Sequence, residues 1–243
     1  NVQGTRLDCL RGEERQVADM DLFDQLFVYP LEQLPFLVLV LLIAFTAHEF
    51  AHAYAAYKFG DPTAQRMGRL TLNPRAHLDL FGTLLILLVG FGWAKPVPVN
   101  RSYFKHPRLM GIVVSFVGPL SNLLIAFVGL LLFAGLLHFG ALEHASVGVQ
   151  KAVQLFFSML VQLNALLFIF NLIPLPPLDG YRIVEDLAPT SLSYRMAQYE
   201  HWGIYVFLLL IFIPPLYRVT LQPILLLSRD LVYGMSNLVG IIF

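Results

Sequence analysis

From Pro35 to Phe59 the chain reads PFLVLVLLIAFTAHEFAHAYAAYKF, an apolar run with His48, Glu49 and His52 set inside it. Coiled as a helix at 1.5 Å per residue, such a run crosses a hydrocarbon layer of ~30 Å. Gly60 and Pro62 end it, as a glycine past the last turn and a following proline do. Lipid offers no partner to a backbone N–H or C=O, so the rest of the chain has to be built around segments that satisfy themselves in the same way. Composition agrees: 57% of the residues are hydrophobic and 13% charged, against ~25% charged in a typical soluble domain. A water-soluble protein of 243 residues needs more polar surface than that.

Further apolar segments follow. Leu80 to Trp93 is short and carries Gly82, Gly90 and Gly92, which fits a re-entrant or interfacial piece better than a full span. Leu109 to Phe139 is long enough to tilt, or to kink at Gly118-Pro119. Val149 to Ile173 leads into the run Pro174-Leu175-Pro176-Pro177-Leu178-Asp179-Gly180, which cannot continue a helix. Gly203 to Tyr217 is broken by Pro214-Pro215, and the tail from Thr220 carries Arg229 and Asp230, a sign of partial interfacial placement. The expected fold is an all-α polytopic membrane protein with four to six transmembrane helices. Between Ala94 and Asn100, Pro96 and Pro98 exclude helix and strip the donors from one edge, while Val97 and Val99 keep theirs on the other. A small membrane-associated β-strand element is therefore expected near residues 94–100. Residues 1–20 are polar and mixed in charge and are read as a tail, with Met20 a candidate natural start; residues 21–243 are read as a single transmembrane domain.

Charge bounds the partners. With 16 basic and 16 acidic residues there is no basic surplus to bind nucleic acid. The single cysteine, Cys9, excludes an intrachain disulfide and a cysteine-based zinc site. Basic residues gather between the first and second spans, at Lys58, Arg66, Arg69, Arg75, Lys95, Arg101, Lys105 and Arg108. The positive-inside rule puts that loop in the cytoplasm, residues 140–148 on the far side, and residues 175–202 back in the cytoplasm. The end of the first span and the proline-rich loop are thus expected to meet on one face of the membrane.

Histidines at i and i+4 lie on one face of a helix, so His48 and His52 can reach one metal ion. Glu49 is turned ~100° from His48 and can reach a water on the metal rather than the metal. If Pro35 marks one hydrocarbon edge, the site lies ~10 Å below the opposite one. Ionisable groups at that depth are costly, and functional by default. The bland reading, two hydrogen-bonded helix histidines and a structural glutamate, has to bear that cost without a return. A catalytic metal also needs a third protein ligand. His77, His106, His138, His144 and His201 lie in loops or near span ends, whereas Asp179 directly follows an apolar span in a segment barred from helix. A simple turn aspartate is the competing reading of Leu178-Asp179-Gly180.

His48-Glu49-Phe50-Ala51-His52, then Gly118-Pro119-Leu120-Ser121-Asn122, then Asn171-Leu172-Ile173-Pro174-Leu175-Pro176-Pro177-Leu178-Asp179-Gly180 resemble the ordered motifs of the site-2 protease family of intramembrane metalloproteases. Gly92-Trp93-Ala94-Lys95-Pro96-Val97-Pro98-Val99-Asn100 is similar to a stretch of its compact prokaryotic members. The likeness covers most of residues 35–180. It implies Zn2+ held by His48, His52 and Asp179, Glu49 as the base that activates water, and Asn171 as a stabiliser of the oxyanion. It also places Asn122 near the site, with substrate contact as one role; for both asparagines interhelical hydrogen bonding is the competing reading. The implied activity is hydrolysis of peptide bonds within or near transmembrane segments of membrane proteins, in a prokaryotic inner membrane, with the active site nearer the cytoplasm. A helical substrate must unwind before attack, and the edge at Val97 and Val99 is expected to hold the extended segment by strand addition. The rival reading is a membrane zinc-binding or transport protein that does not hydrolyse; it would need no Glu49. The motifs leave the substrate's identity and the oligomeric state open.

Overall fold

The computed structural model describes residues 29–89 and 92–242, so the tail expected over residues 1–20 lies outside the described residues. Its helices are α1 (Leu34–Lys58), α2 (Leu80–Val89), α3 (Pro107–His138), α4 (Val147–Asn171), α5 (Asp179–Leu187), α6 (Thr190–Phe212) and α7 (Leu221–Ile242), with short helical turns between them. Among the described residues four helical segments are long and apolar enough to cross a membrane: Leu31–Lys58, which includes α1, and α3, α4 and α7. This is an all-helical integral membrane protein.

Apart from Thr46, the buried positions of α1 are Leu37, Val40, Leu41, Ala44, His48, Glu49, His52, Ala53 and Ala56. They recur every three or four residues, so the candidate ligands share the stripe that faces the other helices. α1 packs on α3 and α4, which pack on each other. Leu37, Val40 and Leu41 form a core with Met159 and Leu160 of α4 and Ile86 of α2. α3 runs 32 residues, about 48 Å, and continues through Pro119. Its Gly111, Gly118 and Gly129 sit where a Cβ would strike Asp186, the two histidines and Leu160 respectively. Small residues let the spans approach closely where no hydrophobic effect draws them together.

At ten residues, α2 is about 15 Å long and too short to span. The chain beyond it returns to its start: a Cβ on Gly82 would overlap the backbone of Trp93. The segment expected to be re-entrant or interfacial thus doubles back on itself. α6 begins well before the apolar run that suggested it and ends where Pro214-Pro215 was expected to break it.

The expected β-strand near 94–100 is not formed. The segment is extended, but among the described residues no strand pairs with it. Its polar groups are claimed by side chains and loops: Lys95 N–H donates to His77 O, Lys95 O accepts from Arg69, Val97 N–H donates to Glu49, and Asn100 N–H donates to Asp61. Pro96 and Pro98 cannot donate, so too few donors remain for a ladder.

α5 starts directly on the end of α4, because a Cβ on Gly180 would overlap the carbonyls of Leu172 and Ile173. On its far side Asp186 accepts from Arg101, which directly follows the extended segment and ties α5 to it, while Glu185 accepts from Arg182 within α5. Burial pushes the Asp186 carboxyl above its ordinary range, and the Arg101 guanidinium opposes this. Gly180→Ala is expected to cost about 1–3 kcal/mol through overpacking. Gly148→Ala, where a Cβ meets nothing, should leave thermal unfolding in detergent unchanged. Equal Tm values for the two variants would count against this junction.

Candidate metal centre

His48, Glu49 and His52 are each less than a tenth exposed. The hydrogen bonds behind the two imidazoles fix which nitrogen faces the site. His52 Nδ1 lies 2.6 Å from the Val114 carbonyl, which can only accept, so Nδ1 carries the proton. His48 Nδ1 donates to Asn122 Oδ1 at 2.9 Å. The Asn122 amide cannot be flipped without loss, because its Nδ2 donates to Ala44 O at 3.2 Å and to Asn164 Oδ1 at 2.9 Å. Asn164 is itself held by donation from its Nδ2 to Leu160 O at 2.8 Å. A neutral imidazole has one N–H, so both Nε2 atoms present bare lone pairs.

Those lone pairs converge. The Nε2 atoms are 3.0 Å apart, and Asp179 Oδ2 lies 3.1 Å from His48 Nε2 and 3.3 Å from His52 Nε2. Asp179 Oδ2 is buried and makes no hydrogen bond. Three acceptors facing one another without a proton repel, and a cation among them removes the conflict. The triangle also has the right size: donors 2.0–2.1 Å from a tetrahedral zinc stand about 3.3 Å apart. Among the described residues these three form the only cluster of histidine, cysteine and acidic side chains compact enough for a metal ion. The end of the first span and the proline-rich loop thus meet in this cluster, with Asp179 rather than another histidine as its third member. Gly118 makes room for it, since a Cβ there would overlap the His52 ring and press on His48.

Glu49 does not join the triangle. Its Oε2 accepts the Val97 N–H at 2.7 Å. The edge expected to receive a substrate strand is thus turned toward Glu49, and the donor of Val97 is already in use. The Val99 side chain packs beside the cluster of Ala56, Phe104 and Val114. Asn171 ends α4 and donates its Nδ2 to Leu167 O at 3.0 Å. The triad, Glu49, Val97 and Asn171 all line one cavity of about 1140 Å³, mostly apolar in its walls. Asn122 is 1% exposed and lies behind His48.

Asn164, fully buried in α4, is the partner that motif reading passed over. An asparagine in the middle of an apolar span was its only signal. Asp61, also fully buried, holds the Asn100 N–H and the Thr63 N–H and hydroxyl, and gave no signal beyond its charge.

Residues 36–214 match the family described as Peptidase family M50. The chain is 54% identical over 207 residues to the "Putative zinc metalloprotease YwhC" of Bacillus subtilis (strain 168), covering 85% of this chain and 93% of that one. It is 32% identical over 200 residues to the "Putative zinc metalloprotease Rip2" of Mycolicibacterium smegmatis, covering 79% and 73%. Against the protein of the same name in Mycobacterium tuberculosis (strain H37Rv) it is 34% identical over 179 residues, covering 72% and 65%. No solved structure gives a significant match.

Asn122→Ala removes the acceptor that fixes the His48 tautomer. It is expected to weaken divalent-metal binding 10–100-fold, measured by chelator competition. Undiminished affinity would mean that the tautomer is set elsewhere.

Proposed function

We propose that His48, His52 and Asp179 hold the zinc, and Glu49 is the general base, of this chain, which belongs to peptidase family M50 and is an intramembrane zinc metalloprotease. The observation that carries the assignment is the meeting of two bare imidazole nitrogens and a carboxylate oxygen on a buried stripe of a membrane span. No other arrangement of the described residues offers a soft-and-hard donor set of that kind.

Lewis acidity toward a water and the scissile carbonyl is what the metal supplies when bound. The chain's own groups do the rest. Glu49 takes a proton from the attacking water and returns it to the leaving amine. It sits beside the triad without joining it, as a base rather than a ligand must, and to act it exchanges the Val97 N–H for the water. Asn171 lines the same cavity, and its amide needs only to swing from Leu167 O to donate to a developing oxyanion. The extended segment at Val97 and Val99 forms one wall and is positioned to hold an unwound substrate strand as Glu49 releases it. Asn122 serves the site by orienting His48.

The substrate class follows from where the cavity lies. Its walls include α1 and α4, both long enough to span, so a peptide reaching it from the bilayer is a transmembrane segment that has unwound locally. Basic residues between α1 and α3 support a cytoplasmic location for this end of the helices, in a prokaryotic inner membrane.

Glu49→Gln in detergent is expected to keep its zinc and to lose 10²–10⁴-fold in cleavage of a model transmembrane substrate. Zinc retained with cleavage unchanged would sink the base assignment and favour a zinc protein that does not hydrolyse. Val99→Pro should lower cleavage with zinc content intact; wild-type turnover would rule out strand addition along this edge.

A further inference from the structure

α7 presents a face that lipid suits badly. At about 100° per residue, Leu221, Ser228, Met235 and Val239 fall together and are buried. Leu221 packs with Ile173, Leu178 and Phe207, and Met235 with Ala126 and Ala165. Ile173 lies just past the end of α4 and Ala165 about 9 Å inside it, so α7 runs antiparallel to α4 down into the depth of the spans. Turned away from that packing is a second sector, about 100° wide, holding Gln222, Leu226, Arg229, Asp230, Tyr233 and Asn237. Tyr233 is 70% exposed and Leu226 43%. Arg229, Asp230 and Asn237 are exposed as well and bond to no described residue. A guanidinium, a carboxylate and an amide on the outside of a span are expensive in hydrocarbon, and ionisable groups there ordinarily face protein or a water-filled space.

We propose that this sector is the contact between two copies of the chain, related by a twofold axis along the membrane normal. The placement of the charges argues for a second copy rather than a different partner. Leu226 and Tyr233 lie near the midline of the sector, with Arg229 and Asp230 about 50° to either side. Two copies in one membrane point the same way, and a twofold axis sets the left flank of one helix against the right flank of the other. Each Arg229 then meets the partner subunit's Asp230, and the pair forms twice. Like charges on the two flanks would have repelled in the same arrangement. Deeper along the helix, Asn237 meets its own counterpart, where two amides donate to and accept from each other. The inference does not depend on the zinc site, since none of these residues lines the cavity.

The test uses the full chain in native membranes with Cys9→Ser. Oxidation of Tyr233→Cys is expected to give a cross-linked dimer, whereas Leu238→Cys, on the apolar flank, should give none. Arg229→Asp should reduce the dimer from Tyr233→Cys by about tenfold, the scale of the two interhelical polar contacts it removes in a membrane. Adding Asp230→Arg should restore it, which a merely misfolded chain would not do. Absence of a dimer at both Tyr233→Cys and Leu226→Cys would overturn the proposal. So would equal cross-linking on the two faces, or failure of the double reversal to recover. Cross-linking of Tyr233→Cys to a cysteine placed within residues 1–28 of the same chain would also overturn it, by assigning the face to the chain's own N-terminal segment.

Discussion

Two imidazole Nε2 atoms and one carboxylate oxygen face one another within 3.3 Å, at the wall of a mostly apolar cavity inside the helix bundle. Everything near the site serves to keep those atoms in that position. In water the three groups would turn outward and be hydrated. Here each histidine is held from behind by a hydrogen bond that leaves its Nε2 bare, and Asp179 is held at the first turn of α5. A cation shared by these three donors binds all of the elements that carry them, so metal binding and the packing of α1, α3, α4 and α5 are coupled.

The supports are of two kinds. Glycines at 118 and 180 remove side chains where backbone or ring must pass closely, which brings α3 against the histidines and α5 against the end of α4. Buried amides then fix orientation: Asn164 holds Asn122, and Asn122 holds His48, along a line that ends on the Leu160 carbonyl. In a membrane such a chain of amides can be neither replaced by water nor left half-satisfied. The extended segment is pinned on both sides of Val97, by Asp61 at Asn100 and by Arg69 and His77 at Lys95. That fastening presents the Val97 N–H to Glu49 and keeps the carboxylate from collapsing into the ligand triangle.

Reading ahead from the sequence succeeded where the signal is local. The shared helix face of His48 and His52, the break at Pro214-Pro215 and the shortness of the segment near Leu80 all follow from hydropathy, helix period and proline chemistry, and each reappears in the structure. The strand near residues 94–100 failed because an extended backbone is a local property and a ladder is not. Alternating prolines and valines determined that the segment would be extended, but whether its donors met a second strand or side chains depended on Glu49 and Asp61, dozens of residues away.

The sequence alone determined that this chain lives in a membrane, that two histidines share one helix face within it, and that an aspartate follows a span in a segment barred from helix. These are consequences of composition, of 3.6 residues per turn and of proline, all set within a few residues of one another. Tertiary structure decided the rest. It brought Asp179 to histidines more than a hundred residues earlier, chose the ring nitrogen each histidine offers, assigned Asn122 to His48, and gave the Val97 donor to Glu49. Hydrogen-bond partners far apart in the chain are selected by how helices cross, and crossing depends on small residues and close contacts that no periodicity records.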